Sequence, residues 1–153
     1  MNKEVIDILN KLSHEINKKY GYVTVEGENF GEPAINSGPC GPFAKVFYEE
    51  WNKRFAQKVI ISFVMELAAN DCYHVLIRLP NNQFYDGGMG IHDETHYDSR
   101  FKIEDMKVYD LKLLEQRSHG LERVYPRYCP NFDITYLRAL IERYLDECLL
   151  KIT

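Results

Sequence analysis

No apolar run in this 153-residue chain approaches the roughly 20 residues that cross a bilayer. The opening stretch Met1-Asn2-Lys3-Glu4-Val5-Ile6-Asp7 lacks the apolar core of a secretory signal and reads as a charged helix start. A cytoplasmic protein without a membrane partner is therefore expected. Basic excess is missing as well: 19 Lys and Arg stand against 23 Asp and Glu, a net charge of −4. Nucleic-acid binders usually carry a basic face, so no nucleic-acid partner is expected. The four cysteines, Cys40, Cys72, Cys129 and Cys148, form no C-x-x-C pair. That spacing fits neither a zinc ribbon nor a small disulfide scaffold. Internal repeats, low-complexity tracts and a visible domain boundary are also lacking, so one domain over residues 1–153 is expected.

What is present is a core-forming chain, 45% hydrophobic and 27% charged. Val5, Ile6, Ile8, Leu9, Leu12 and Ile16 recur at helical spacing and predict an amphipathic helix over 2–19, stopped by Gly21. A short strand over 22–25 and a Gly/Pro-rich loop over 26–39 follow. Pro42 suits the first turn of a second helix, because that turn leaves its N–H groups unpaired in any case. Phe43, Val46, Phe47, Trp51 and Phe55 form its buried stripe, with Glu49, Glu50, Lys53 and Arg54 largely off it. Residues 59–67 and 73–79 are rich in β-branched and aromatic side chains and predict strands around a turn at 68–71. Pro80-Asn81-Asn82 makes a hairpin turn into a strand over 83–86, ended by Gly87, Gly88 and Gly90. Residues 91–100 read as a polar loop, 103–117 as partly buried without a clear period, and 118–131 as irregular. Asp133 is a good N-cap for a last helix with Ile134, Leu137, Leu140, Ile141, Tyr144, Leu145 and Cys148 on its apolar face.

The chemistry concentrates in Asn36-Ser37-Gly38-Pro39-Cys40-Gly41-Pro42-Phe43-Ala44. A thiol at a helix start meets unpaired backbone N–H groups and the positive end of the helix dipole, which favour the thiolate. His74 on the following strand would supply the base and acid, and Asp86 on the returning strand would orient the imidazole. The Cys40 N–H and the side chain of Asn36 are candidate oxyanion donors, with Gln57, Asn81 and Asn82 as more distant ones. Centring the hairpin turn on Asn81-Asn82 pairs Ile77 with Asp86 and leaves His74 beyond the end of the partner strand. A bulge would close that gap. Cys72, two residues before His74, is expected on the same face as the histidine, and Cys148 in the core.

These segments resemble the papain-like cysteine hydrolase superfamily. The start Gly38-Pro39-Cys40-Gly41-Pro42-Phe43-Ala44 is similar to the nucleophile helix of transglutaminase-like domains. The strand His74-Val75-Leu76-Ile77-Arg78-Leu79, followed by Gln83-Phe84-Tyr85-Asp86, resembles both that branch and the NlpC/P60 amidopeptidases. The resemblance spans about residues 36–90 and leaves the branch open. It implies an α+β fold with a papain-like core: a nucleophile helix packed on a small antiparallel sheet, with added N- and C-terminal helices. It implies a thiol-dependent hydrolase or acyl transferase that cleaves an amide or peptide bond without a cofactor. Its partner would be a peptide or other amide-bearing molecule, proteins included. The alternative is a non-catalytic binding or inhibitor module on the same fold.

His92 and His96, with Asp93, Glu94 and Asp98 nearby, would share a face if helical and could then hold a metal. Their glycine-rich approach and missing apolar stripe favour a solvated loop, so no metal site is expected. Arg117, Arg123, Arg127 and Arg138 read as surface cations, and the Tyr125–Tyr128 stretch as a possible groove lining.

Overall fold

Helix α1, Lys3–Lys19, begins where Asn2 accepts the Val5 N–H on its side-chain oxygen at 2.9 Å. The structure is a computed structural model and describes residues 1–20, 34–119 and 132–152. The expected Gly21 stop, the strand over 22–25, most of the loop over 26–39, most of the irregular segment with Arg123, Arg127 and Tyr125–Tyr128, and Cys129 lie outside the described residues. Helix α2, Cys40–Arg54, follows, and its N-cap Pro39 makes no side-chain cap bond. Five strands come next: β1 Ile60–Glu66, β2 Asp71–Arg78, β3 Phe84–Asp86, β4 Gly90–His92 and β5 Phe101–Asp105. A single 3-10 turn, Glu94–His96, sits between the last two. Helices α3, Leu111–His119, and α4, Ile134–Ile152, complete the chain.

The architecture is α+β, as expected: the five strands form one antiparallel sheet in the order β4-β3-β2-β1-β5. The meander of β1 to β3 was legible from the sequence. The hairpin onto β4 and the return of β5 along the free edge of β1 were not. Alternation sorts the strand residues onto two faces. Ile61, Phe63, Val75, Ile77 and Tyr85 join the helices in the main core. Val64, Leu76 and Phe84 point the other way, under Tyr97, Phe101 and Ile103.

Phe43 and Phe47 carry α2 onto the sheet, with ring centroids 6.0 and 5.0 Å from Tyr85. Each is at most 1% exposed, and burial of such a ring contributes roughly 2 kcal/mol. Burial also pushes the Tyr85 phenol above its usual range, so it keeps the proton it donates to the Leu9 carbonyl at 2.8 Å. That bond ties α1 to β3, next to Asp86.

Helix α4 packs on α1 and α2. Asp133 caps it as expected, accepting the Tyr136 N–H at 3.0 Å. Three charged residues, Glu50, Arg138 and Arg117, are held in ion pairs. Glu50, on the polar side of the sequence pattern, is 1% exposed. It is held by Lys53 at 2.8 Å, Arg54 at 2.7 Å and Arg138 of α4 at 2.6 Å. Burial raises its pKa, but these three cations outweigh burial and hold the carboxyl near 2. Arg138 also binds Glu49, and Arg117 binds Glu104, so neither guanidinium is a spare cation.

Candidate active site

The end of β3 makes room for the nucleophile. The β2–β3 ladder covers only Ile77 with Tyr85 and Arg78 with Phe84. The hairpin is closed by the Leu79 N–H on the Gln83 carbonyl, and Asn82 sits at a φ of 67°. The turn is therefore a three-residue loop with its last residue left-handed, not a two-residue turn centred on Asn81-Asn82. The expected register is off by one: Ile77 faces Tyr85 rather than Asp86. Beyond Asp86 no strand among the described residues pairs with this side of β2, and the Val75 N–H favours the Cys40 thiolate there.

A β-bulge aims the base. Val64 pairs with His74 and Met65 with Cys72, so Tyr73 is the extra residue on β2. The bulge breaks the alternation. Cys72 turns into the main core, with its Sγ on the His74 carbonyl at 3.4 Å, and does not share the histidine's face as expected. His74 Nε2 lies 2.8 Å from Asp86 Oδ2. The ring also interacts with the Cys40 thiol, each shifting the other's pKa, and with Nε2 engaged by Asp86 the nitrogen left for sulfur is Nδ1. Cys40, His74 and Asp86 are therefore joined in one chain of contacts, 7%, 6% and 1% exposed respectively.

Asp86 is anchored by its own turn. Its Oδ1 accepts the N–H groups of Gly88 at 3.0 Å and Met89 at 2.6 Å, so the Asp-Gly-Gly sequence is both a turn signal and a carboxylate cradle. Asn36, expected as an oxyanion donor, instead directs its Nδ2 to that same Oδ1 at 3.0 Å. Gly88 lies against this amide: a Cβ there would stand 2.5 Å from Asn36 Nδ2. Helix α1 braces the turn from behind, with Ser13 Oγ donating to the Asp86 carbonyl at 3.0 Å and Asn17 Nδ2 to the Gly88 carbonyl at 2.8 Å.

The electrostatics follow from these contacts. Burial alone pushes the Cys40 thiol up. The His74 hydrogen bond and charge, with the Val75 N–H, reverse that and hold it below its ordinary value. Burial would lower His74, but Asp86 and then Cys40 raise it to about 10. Burial raises Asp86 as well, and His74, the Met89 N–H and Asn36 bring it below the usual carboxylate range. These contacts shift Cys40 toward the thiolate, His74 toward the imidazolium and Asp86 toward the carboxylate. As the first helical residue, Cys40 has an N–H without an acceptor inside α2, which leaves it a candidate oxyanion donor.

The more distant oxyanion candidates sit at the far ends of the elements that carry the triad, Gln57 beyond the C-terminal end of α2 and Asn81 and Asn82 in the turn between β2 and β3. Asn81 bonds Gln83 at the far turn of the hairpin, and the Gln57 carbonyl accepts from Trp51. His92 and His96 do not share a helix face. His92 lies on β4, between the Gly90 carbonyl at 3.0 Å and the Tyr97 hydroxyl at 2.9 Å. No cluster of metal-ligating side chains occurs among the described residues. No described helix is long and apolar enough to cross a membrane. In comparisons with known proteins, no family model, no curated protein and no solved structure matches this chain.

Proposed function

We propose that the protein is a thiol-dependent hydrolase or acyl transferase acting on an amide or peptide bond, with Cys40 as nucleophile, His74 as base and acid, and Asp86 as orienting carboxylate. The observation that carries this reading is the continuous contact chain from Cys40 through His74 to Asp86 at the N-terminus of α2. In it the Cys40 thiolate attacks the substrate carbonyl, and the oxyanion is held by the Cys40 N–H. The His74 imidazolium protonates the departing amine, leaving an acyl group on sulfur as a thioester. Water or a second amine, deprotonated by His74, then releases the acyl group. No step calls for a cofactor. A papain-like core, a cytoplasmic setting and a peptide or protein substrate belong to the same proposal, which rests on the helix–sheet placement of these three residues and on the resemblance of residues 36–90.

The test is alkylation with iodoacetamide near neutral pH. One equivalent should add rapidly to Cys40, and His74→Ala should abolish the rapid phase. The alternative, a non-catalytic binding or inhibitor module, is favoured by the 7% exposure of Cys40. Alkylation no faster than that of a free thiol selects that alternative.

A further inference from the structure

The bulge in β2 does more than aim His74. An extra residue in a strand puts two successive side chains on one side of the sheet. Here those residues are Tyr73 and His74. Tyr73 is 58% exposed, a large aromatic standing in water directly beside the base. Its ring lies 4.8 Å from Phe101. Phe101 in turn meets the edge of Tyr97 at 6.2 Å.

Tyr97 closes this row toward the triad. Its ring is 6.1 Å from Phe84, two residues before Asp86 on the same strand. Its hydroxyl is fixed: His92 Nδ1 donates to the Gly90 carbonyl, so Nε2 is the acceptor and the Tyr97 O–H donates to it at 2.9 Å. Burial and then the charge of Asp86 push the Tyr97 phenol above its usual range, with Cys40 adding to the effect. The row therefore runs from solvent at Tyr73 to the neighbourhood of the nucleophile and its carboxylate.

We propose that Tyr73, Phe101 and Tyr97 form the wall that receives an aromatic or bulky apolar group on the amine side of the attacked bond. The side is fixed by chemistry. His74 must hand its proton to the departing amine, so that amine sits against His74, and Tyr73 is the next residue along the same face. An exposed, rigid aromatic wall gives apolar contact and ring packing at little conformational cost. This inference rests on the thiol-hydrolase reading and adds the class of leaving or acceptor amine.

The test uses the full chain and runs the amine step in reverse. With p-nitrophenyl acetate, the Cys40 thiolate displaces p-nitrophenolate and becomes an S-acetyl thioester. An added amine then attacks the thioester carbonyl, the C–S bond breaks, and the surplus ammonium proton passes to the His74–Cys40 pair as the acetamide leaves. The rates with 2-phenylethylamine and ethylamine are compared per free base. The expected preference for the phenyl amine is about tenfold, falling close to one in Tyr73→Ala and surviving in Tyr73→Phe. A thioester that forms but reacts equally with both amines overturns the wall and leaves the thiol-hydrolase reading standing. So does a preference that persists in Tyr73→Ala. If no thioester forms on Cys40, the thiol-hydrolase reading falls and the wall with it.

Discussion

His74 Nε2 meets Asp86 Oδ2 at 2.8 Å, and this bond decides which nitrogen of the ring faces Cys40. The carboxylate is in turn held by two backbone N–H groups and Asn36. An imidazole pinned in this way is held in both tautomer and orientation.

Replacing the carboxylate by an amide should therefore cost more in turnover than in folding. Asp86→Asn is expected to lower kcat/KM by about a hundredfold or more, since acid–base assistance is worth that much. It should also flatten the pH dependence of stability. A raised histidine pKa gives stabilisation that is fully present below the unfolded value of about 6.5 and is lost as pH rises through the folded value. With His74 at about 10, its share is lost between those limits, but the lowered Cys40 thiol offsets that loss up to the unfolded thiol value of about 8.5, so the net wild-type decline should fall between about 8.5 and about 10. The decline should shrink in Asp86→Asn, as read by urea unfolding at several pH values.

Gly88→Ala probes the positioning of Asp86 without touching the triad. The new Cβ would lie 2.5 Å from Asn36 Nδ2 and displace the amide from Asp86 Oδ1. Thiol alkylation should slow severalfold, and Asn36→Ala should slow it to a similar degree. Because both changes act through one contact, the double variant should be scarcely worse than either alone. Fully additive losses would separate the two residues.

Gly41 is required by its neighbour on α3. A Cβ there would overlap the Ser118 hydroxyl and approach its Cβ to 2.7 Å. Gly41→Ala should lower the melting temperature by several degrees, an overpacking cost of about 1–3 kcal/mol. Ser118→Gly added to it should recover most of the loss in a thermal melt. Failure of the second change to rescue the first would place the strain elsewhere.

Glu50 links α2 to α4 through Arg138 and stands among three cations. Glu50→Ala leaves Arg54 and Arg138 short of a buried partner and should cost about 2 kcal/mol. A lowered carboxyl pKa gives stabilisation that is present above the ordinary value of about 4.5 and is lost as pH falls toward the folded value. The wild type should therefore lose this share of its stability between about 4.5 and about 2, and the variant should show less acid sensitivity there. Circular dichroism melts across that range provide the measurement.

Much of the site could be read from local rules. Gly38, Pro39 and Pro42 punctuate the chain where α2 must start, so Cys40 had to sit at a helix N-terminus. The β-branched runs around His74 and the Asp-Gly turn placed the other two residues on neighbouring strands. What escaped were features that depend on pairing. The bulge at Tyr73 is set by how β1 and β2 align, and no periodicity in β2 alone reveals it. Strand β4 is three residues long and opens on Gly90 at a φ of 80°, so its glycine read as a terminator. Strand β5 did carry an alternating signal, Phe101 and Ile103 against Lys102 and Glu104, but the polar approach from 92 to 100 masked its start. Glu50 fell off the apolar stripe of α2, and its burial escaped because its Arg138 partner lies on another helix, 88 residues away in sequence.

The most direct test of the central claim is the ultraviolet absorbance of the Cys40 thiolate as a function of pH. The Cys72, Cys129 and Cys148 thiols can be replaced by serine or alanine to isolate the signal. The thiolate–imidazolium pair predicts an inflection well below the value of about 8.5 for a free thiol, moving up toward or past that value in His74→Ala. An inflection at or above that of a free thiol in the otherwise native protein, unchanged by His74→Ala, would contradict the account.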